Sequence, residues 1–159
     1  MVKTSIDILF QKLFNYIAPD KHHKKLIQFT KFALVGFTGL IIDASTVYLL
    51  CPLIGLTIST LIAYFIAATS NWFINRFWTF NGLGKQQYIL YQWIKFIIAN
   101  SMGFFLNRGT VFILFSLSTT CLNHPIIALI AGAAAGMLAN FNLSRKLVYT
   151  NKFSKKTRK

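Results

Sequence analysis

The chain has 159 residues, 55% of them hydrophobic and 13% charged, with three acidic residues, no glutamate and a formal net charge of +14. So apolar a composition cannot be covered by a polar surface in water, which points away from a soluble enzyme or nucleic-acid-binding domain and toward a membrane protein. A chain of this length holds about four spans of about 20 residues and leaves no room for a folded soluble domain.

Residues 1–28 read as an arm. Ile6, Leu9, Phe10, Leu13, Phe14 and Ile17 make one apolar stripe at helical spacing, which predicts an amphipathic helix over 5–18 lying in the membrane interface or packed on the protein's own loops. It is too short and polar to span and lacks the small-residue cleavage site of a signal peptide. Pro19 is expected to end it, and Lys21, Lys24 and Lys25, with His22 and His23 between them, suit anionic lipid head groups. A histidine pair with only Asp20 beside it is not a metal site, and neither metal nor cofactor is expected.

The first span is expected over 29–50, with Lys31 at its mouth. Asp43 lies twelve residues further on, roughly 18 Å along the helix, where an ionised carboxylate facing lipid costs at least a few kcal/mol. It must face protein or water, and Gly36 and Gly39 precede it on the same face. Cys51 and Pro52 are expected to form the outer turn. The second span, 53–74, carries no charge and has Ser59, Ala63, Ala67 and Ser70 in a row that marks a packing face. It runs into Asn71-Trp72-Phe73-Ile74-Asn75-Arg76-Phe77-Trp78-Thr79-Phe80. There Asn71 and Asn75 share a helical face beside Arg76, an arrangement of donors that suits an anionic oxygen. Trp72 and Trp78 read as anchors at head-group depth.

The third span opens on Gln92-Trp93-Ile94-Lys95-Phe96, an echo of Gln28-Phe29-Thr30-Lys31-Phe32. At the same offset Gly103 falls on Gly39 and Asn107 on Asp43. Asn100, Gly103 and Asn107 therefore form a small, polar face, with Arg108 next to it. Residues 118–124 read as an outer loop. The fourth span, 125–143, contains Gly132-Ala133-Ala134-Ala135-Gly136, a spacing of small residues that lets helices approach closely. It ends in a second version of the 71–80 stretch, with Asn140 on Asn71, Ser144 on Asn75, Arg145 on Arg76 and Tyr149 on Phe80.

The chain thus reads as two tandem hairpin repeats, 29–80 and 93–149, followed by a basic tail over 150–159. Every basic residue except Arg108 lies in the arm, the middle loop, the tail or the span ends that adjoin them, so both termini are expected in the cytoplasm. Repeats that enter from one side are parallel and related by an axis along the membrane normal, and such repeats place substrate sites where they meet. The expected lining is the Gly39 and Asp43 face, the Gly103 and Asn107 face, and the amides and guanidinium groups of Asn71, Asn75, Arg76, Asn140 and Arg145.

These residues resemble the GtrA-like membrane proteins. The resemblance covers residues 28–149. It rests on Lys31-Phe32 with Val35-Gly36, on Asp43, on Asn71 through Asn75-Arg76 to Trp78-Thr79-Phe80, and on Asn140-Phe141 with Arg145-Lys146. It implies a four-span protein of cell-surface polysaccharide synthesis in the bacterial cytoplasmic membrane, which moves a polyprenyl-phosphate-linked sugar or assists the glycosyltransferase that makes or uses it. The implied partners are that sugar lipid and a membrane glycosyltransferase. Anionic head groups and a second copy of the chain, as a homo-oligomer, complete the expected set, and nucleic acid is outside it. No nucleophile with a base, paired carboxylates, metal cluster or phosphate-binding glycine loop is present in the sequence, so no catalytic role is expected.

Asp43 and Arg108 are equally deep if both hairpins enter from one side, because Lys31 to Asp43 and Lys95 to Asn107 are equal steps. They are expected to pair, the alternative being that Arg108 reaches the outer head groups. A double-mutant cycle with Asp43→Asn, Arg108→Gln and both together checks this through membrane abundance and activity. Pairing predicts single losses of several kcal/mol and a double mutant better than their sum, whereas additive losses would remove the pair.

Overall fold

The structure, a computed structural model, describes Ser5, Ile8, Leu9, Lys12 and residues 20–150. Most of the amphipathic arm, Pro19 and residues 151–159 lie outside that set. Among the described residues every regular element is a helix. Four helical stretches are long and apolar enough to cross a bilayer: His23–Ile54, Leu56–Thr79, Ile89–Leu117 and Pro125–Val148. The protein is an all-α, multi-pass membrane protein. Its chain divides into two compact units, Met1–Gly82 and Leu83–Lys159, and each contains one antiparallel hairpin.

In the first unit α1 runs over Asp20–Ile54 and α2 over Leu56–Ile74. A helix of 35 residues rises about 52 Å, well beyond a hydrocarbon core of about 30 Å. The basic segment at 20–28, read from sequence as part of the arm, is instead the first turns of α1. Its lysines, leucine and glutamine favour helix, and no glycine or proline interrupts them before Gly36. The turn also differs from expectation. Pro52 lies inside α1, and the chain reverses at Gly55, whose φ of 78° is open to a residue without Cβ. The Gly55 N–H donates to the Cys51 carbonyl at 3.0 Å, and its own carbonyl accepts from Ser59 N–H at 3.1 Å.

The small row of α2 performs as its composition predicts: Ser59, Ala63 and Ala67 are buried, on a helix that packs against α1. The tightest approach is between Gly39 of α1 and Asn71 of α2. A Cβ at Gly39 would collide with the Asn71 side-chain amide.

The second unit repeats this device. Its helices are α3 over Ile89–Leu117, α4 over Thr119–Asn123 and α5 over Pro125–Leu143. The expected outer loop is therefore a short helix, started by Ser118 Oγ accepting from Cys121 N–H at 3.3 Å. Cys121 is buried with Val111 and Ala128, and Leu114 and Phe115 pack on them. A Cβ at Gly103 would strike the Asn140 side chain. One at Gly132 would meet the Asn107 carbonyl at 2.8 Å, and one at Gly136 the Gly103 carbonyl at 2.8 Å. The glycine pair of α5 thus admits the backbone of α3, as the small-residue spacing predicts. Gly39 and Gly103 are each filled by a side chain of their own hairpin, and Asn107 packs against Gly132 and Gly136. The side chains that fill Gly39 and Gly103, Asn71 and Asn140, are matched residues of the repeated stretch.

Hydroxyl groups within the spans find bonds on their own helices. Thr38 Oγ1 donates to the Val35 carbonyl at 2.8 Å, Thr46 Oγ1 to Ile42 at 2.7 Å, Ser101 Oγ to Ile97 at 3.0 Å and Ser116 Oγ to Phe112 at 2.9 Å. These bonds carry polar side chains through a solvent with no hydrogen-bonding groups. Phe37, Leu40, Phe105 and Phe112 stay exposed, as lipid-facing side chains do.

Gly103→Ala is expected to destabilise the protein by about 1–3 kcal/mol through overpacking, and Asn140→Ala in the same chain should recover part of the loss. Gly36→Ala has open space around it and should stabilise by up to about 1 kcal/mol. Thermal unfolding in detergent checks all three, and equal losses at Gly36 and Gly103 would contradict the packing account.

Candidate functional site

Both hairpins end in the same irregularity. α2 passes into a π-turn over Asn75–Thr79 and α5 into one over Ser144–Val148. The Phe80 N–H donates five residues back to the Asn75 carbonyl at 2.8 Å, and the Tyr149 N–H to the Ser144 carbonyl at 2.8 Å. The ring that follows each turn is fully buried and meets a phenylalanine edge-on: Phe80 on Phe32 and Tyr149 on Phe96, each at 6.2 Å. The repeated aromatic residue thus anchors the chain against the first helix, and the widened turn absorbs one additional residue before it. Such turns recur at functional sites.

In the first unit the turn buries polar groups. Asn75 is 1% exposed, Thr79 4% and Arg76 8%, and Lys31 on the facing helix is 6% exposed. The Lys31 ammonium lies 5.4 Å from the centre of the Trp78 ring, and the Arg76 guanidinium 5.9 Å from that of Trp72. Trp72, expected at head-group depth, is buried on α2, where it forms one wall of this cluster. Among the described residues, the side-chain oxygens of Asn71, Asn75 and Thr79 have no hydrogen-bond partner. Those three residues follow one another at four-residue steps. Burying an amide or hydroxyl in that condition costs about 1–3 kcal/mol unless ordered water or another polar group supplies the bond.

The second unit has the same frame with a different filling. Asn140 Oδ1 and Ser144 Oγ are likewise buried without a partner among the described residues. Here, however, the turn is closed by side chains bonding to backbone. Gln87 Nε2 donates to the Val148 carbonyl at 3.0 Å and to the Thr150 carbonyl at 2.7 Å. Gln92 Nε2 donates to the Gly84 carbonyl at 3.1 Å. Lys95, which matches Lys31, lies 4.3 Å from the centre of the Tyr91 ring and donates to the Leu147 carbonyl at 3.4 Å. Gly84 takes φ of 65°, and a Cβ there would press on Gln92 Nε2 and on the Tyr149 Cα, so the loop lies directly against the helix end.

Of the residues singled out from sequence, Asn71, Asn75 and Arg76 come together in the first unit, and Asn140 and Arg145 stand at the equivalent turn of the second. Asn140 and Arg145 are half-buried. Asp43, half-buried on α1, stands far from the turn, one helical step beyond Gly39. Asn100 and Asn107 are half-buried on α3, Asn107 against Gly132 and Gly136. Arg108 is exposed, its guanidinium 5.6 Å from the centre of the Phe104 ring one turn earlier. Lys31, Thr79, Gln87 and Gln92 were not singled out as site residues. Lys31 and Gln92 were visible as matched positions of the repeat and Thr79 as part of the Asn-Arg-x-Trp-Thr-Phe element. Nothing in the sequence marks Gln87.

Among the described residues, four helices long and apolar enough to cross a bilayer, arranged as two hairpins, define a multi-pass membrane protein. A family model described as GtrA/DPMS, transmembrane domain, matches residues 31–149, and the chain belongs to that family. Comparison with curated proteins finds no match. Membership supports a role in membrane-associated glycosylation and the handling of sugar-linked lipids, in a family whose members are generally non-catalytic membrane proteins.

Gln87→Leu removes both donors that hold the second helix end. It is expected to cost about 1–3 kcal/mol and to speed amide exchange at Gln87, Gln92 and Tyr149, measured by hydrogen–deuterium exchange. Unchanged protection at Tyr149 would show that the fork does not hold the turn.

Proposed function

We propose that this protein translocates a polyprenyl-phosphate-linked sugar across the bacterial cytoplasmic membrane for cell-surface polysaccharide synthesis or modification. The observation that carries the reading is the buried turn of the first unit, where Asn75 Oδ1 and Thr79 Oγ1 lack hydrogen-bond partners among the described residues and stand with the buried Arg76 and Lys31 at one end of the hairpin. A phosphate ester supplies anionic oxygens for the cations and for the Thr79 hydroxyl, and turning the Asn75 amide presents its Nδ2 hydrogens to the same group. The exposed apolar faces of the spans suit a polyprenyl chain that remains in the bilayer. The distribution of lysine and arginine supports a cytoplasmic basic end and cytoplasmic termini. Asp43, Asn107 and Arg108 are polar groups at membrane depth, which a pure scaffold has little reason to carry.

Reconstitution tests the reading. Liposomes holding the protein and a labelled polyprenyl-phosphate sugar are expected to exchange the label between leaflets faster than empty liposomes. Arg76→Lys keeps the charge but cannot hold phosphate through two parallel N–H groups, and is expected to slow exchange by about tenfold, or about 1.4 kcal/mol. No acceleration by the unaltered protein would contradict translocation and favour the other role open to this family, an accessory subunit that assists a polyprenyl-phosphate glycosyltransferase.

A further inference from the structure

The two hairpins match in their frame and differ in what fills it. Thr79 is replaced at the matched position by Val148, Asn75 by Ser144 and Trp78 by Leu147. Valine has nearly the shape of threonine and none of its hydrogen bonding, so the second turn loses a donor without changing its packing. Lys31 lies beside the Trp78 ring, and Lys95 beside the Tyr91 ring and the carbonyl of Leu147, the residue that matches Trp78. The second turn is also roofed by Gln87, whose two N–H groups hold the carbonyls of Val148 and Thr150.

We infer that the lipid phosphate is seated in the first hairpin alone, by Asn75, Thr79, Arg76 and Lys31, and that the second π-turn is a structural copy closed by its own bonds. The inference rests on the proposed function for the identity of the lipid, but its own ground is the contrast between the two turns. Spanning hydroxyls elsewhere bond to carbonyls of their own helices, as Thr38, Thr46, Ser101 and Ser116 do. Thr79 is 4% exposed and Asn75 1%, and neither side-chain oxygen is satisfied among the described residues. A threonine kept in that condition lowers the stability of the unliganded protein, since an isosteric valine would remove the cost. Its retention in one turn and replacement by valine in the other is what a seat in the first turn requires. The second turn retains one unsatisfied hydroxyl, Ser144, and one amide, Asn140, packed on Gly103. At the matched positions the second turn offers one hydroxyl, that of Ser144, where the first offers an amide and a hydroxyl, those of Asn75 and Thr79.

The experiment uses the full chain in nanodiscs of zwitterionic lipid and a titration with decaprenyl phosphate, read by tryptophan fluorescence and thermal unfolding. Uncharged decaprenol and phosphatidylglycerol are the comparison lipids. Thr79→Val and Asn75→Ser, which write the second turn into the first, are expected to weaken decaprenyl phosphate binding about tenfold each. Without ligand, Thr79→Val should unfold at the same or a higher temperature, an outcome that a purely structural hydroxyl would not give. Ser144→Ala and Val148→Thr should leave affinity within about twofold. Unaltered binding by Thr79→Val, or a loss in Ser144→Ala equal to that in Asn75→Ser, overturns the assignment of the seat while leaving the functional reading standing. Equal binding of phosphatidylglycerol overturns the choice of ligand and makes the turn a general head-group site. Failure of the unaltered protein to bind decaprenyl phosphate at all overturns the functional reading and the seat with it.

Discussion

A bilayer offers no water to a buried polar group, and this lack governs how each hairpin is built. Thr30, Thr38, Thr46, Ser59, Thr60, Ser101 and Ser116 each donate to a carbonyl of their own helix, so they cross without an unmet bond. Asn142 does the same with its amide, donating to the Leu138 carbonyl at 2.8 Å. Against that background the unsatisfied oxygens of Asn71, Asn75 and Thr79, with those of Asn140 and Ser144 at the matched turn, are a departure from the rule the spanning hydroxyls obey. Departures from local optimality concentrate where a protein binds something.

The π-turn is what makes this departure structurally tolerable. It delays the helix end by one residue, seats Phe80 on Phe32, and leaves Asn75 and Arg76 both buried although they are neighbours in sequence. The second hairpin shows that the turn does not depend on the polar set, because Ser144–Val148 adopts it with valine and leucine at the matched positions. Backbone shape and ligand chemistry are thus separable. The aromatic anchor and the glycine–asparagine contact define the frame, and the residues at 75 and 79 define what the frame can hold.

Much of this was legible in the sequence because apolar runs, small-residue spacing and matched polar positions are one-dimensional signals. The four spans, the Ser59–Ala63–Ala67 packing face and the Gly132–Gly136 pair follow directly from those signals. The partners of Gly39 and Gly103 did not, since spacing identifies a small face without identifying what fills it, and an asparagine four residues before another looks like part of a site before it looks like a packing group. The reversal at Gly55 was hidden by Pro52, a residue usually found in turns that a helix here carries through its last turn. The π-turns have no composition signature. Gln87 was illegible for a simpler reason: a glutamine in a polar loop acquires its role only when folding brings the carbonyls of Val148 and Thr150 within reach of its two N–H groups.

The central claim is that the Thr79 hydroxyl and, once its amide is turned, the Asn75 Nδ2 group donate to a phosphate. The most direct measurement is solid-state NMR of the protein in bilayers with decaprenyl phosphate, reading dipolar coupling between the lipid phosphorus and the side-chain nitrogen of Asn75. Hydrogen bonding through that amide places the two nuclei within about 4 Å of each other, and the account expects a resolved coupling at Asn75 and none at Asn140. A coupling absent at Asn75 while the lipid is bound, or one centred on Asn140, would contradict it.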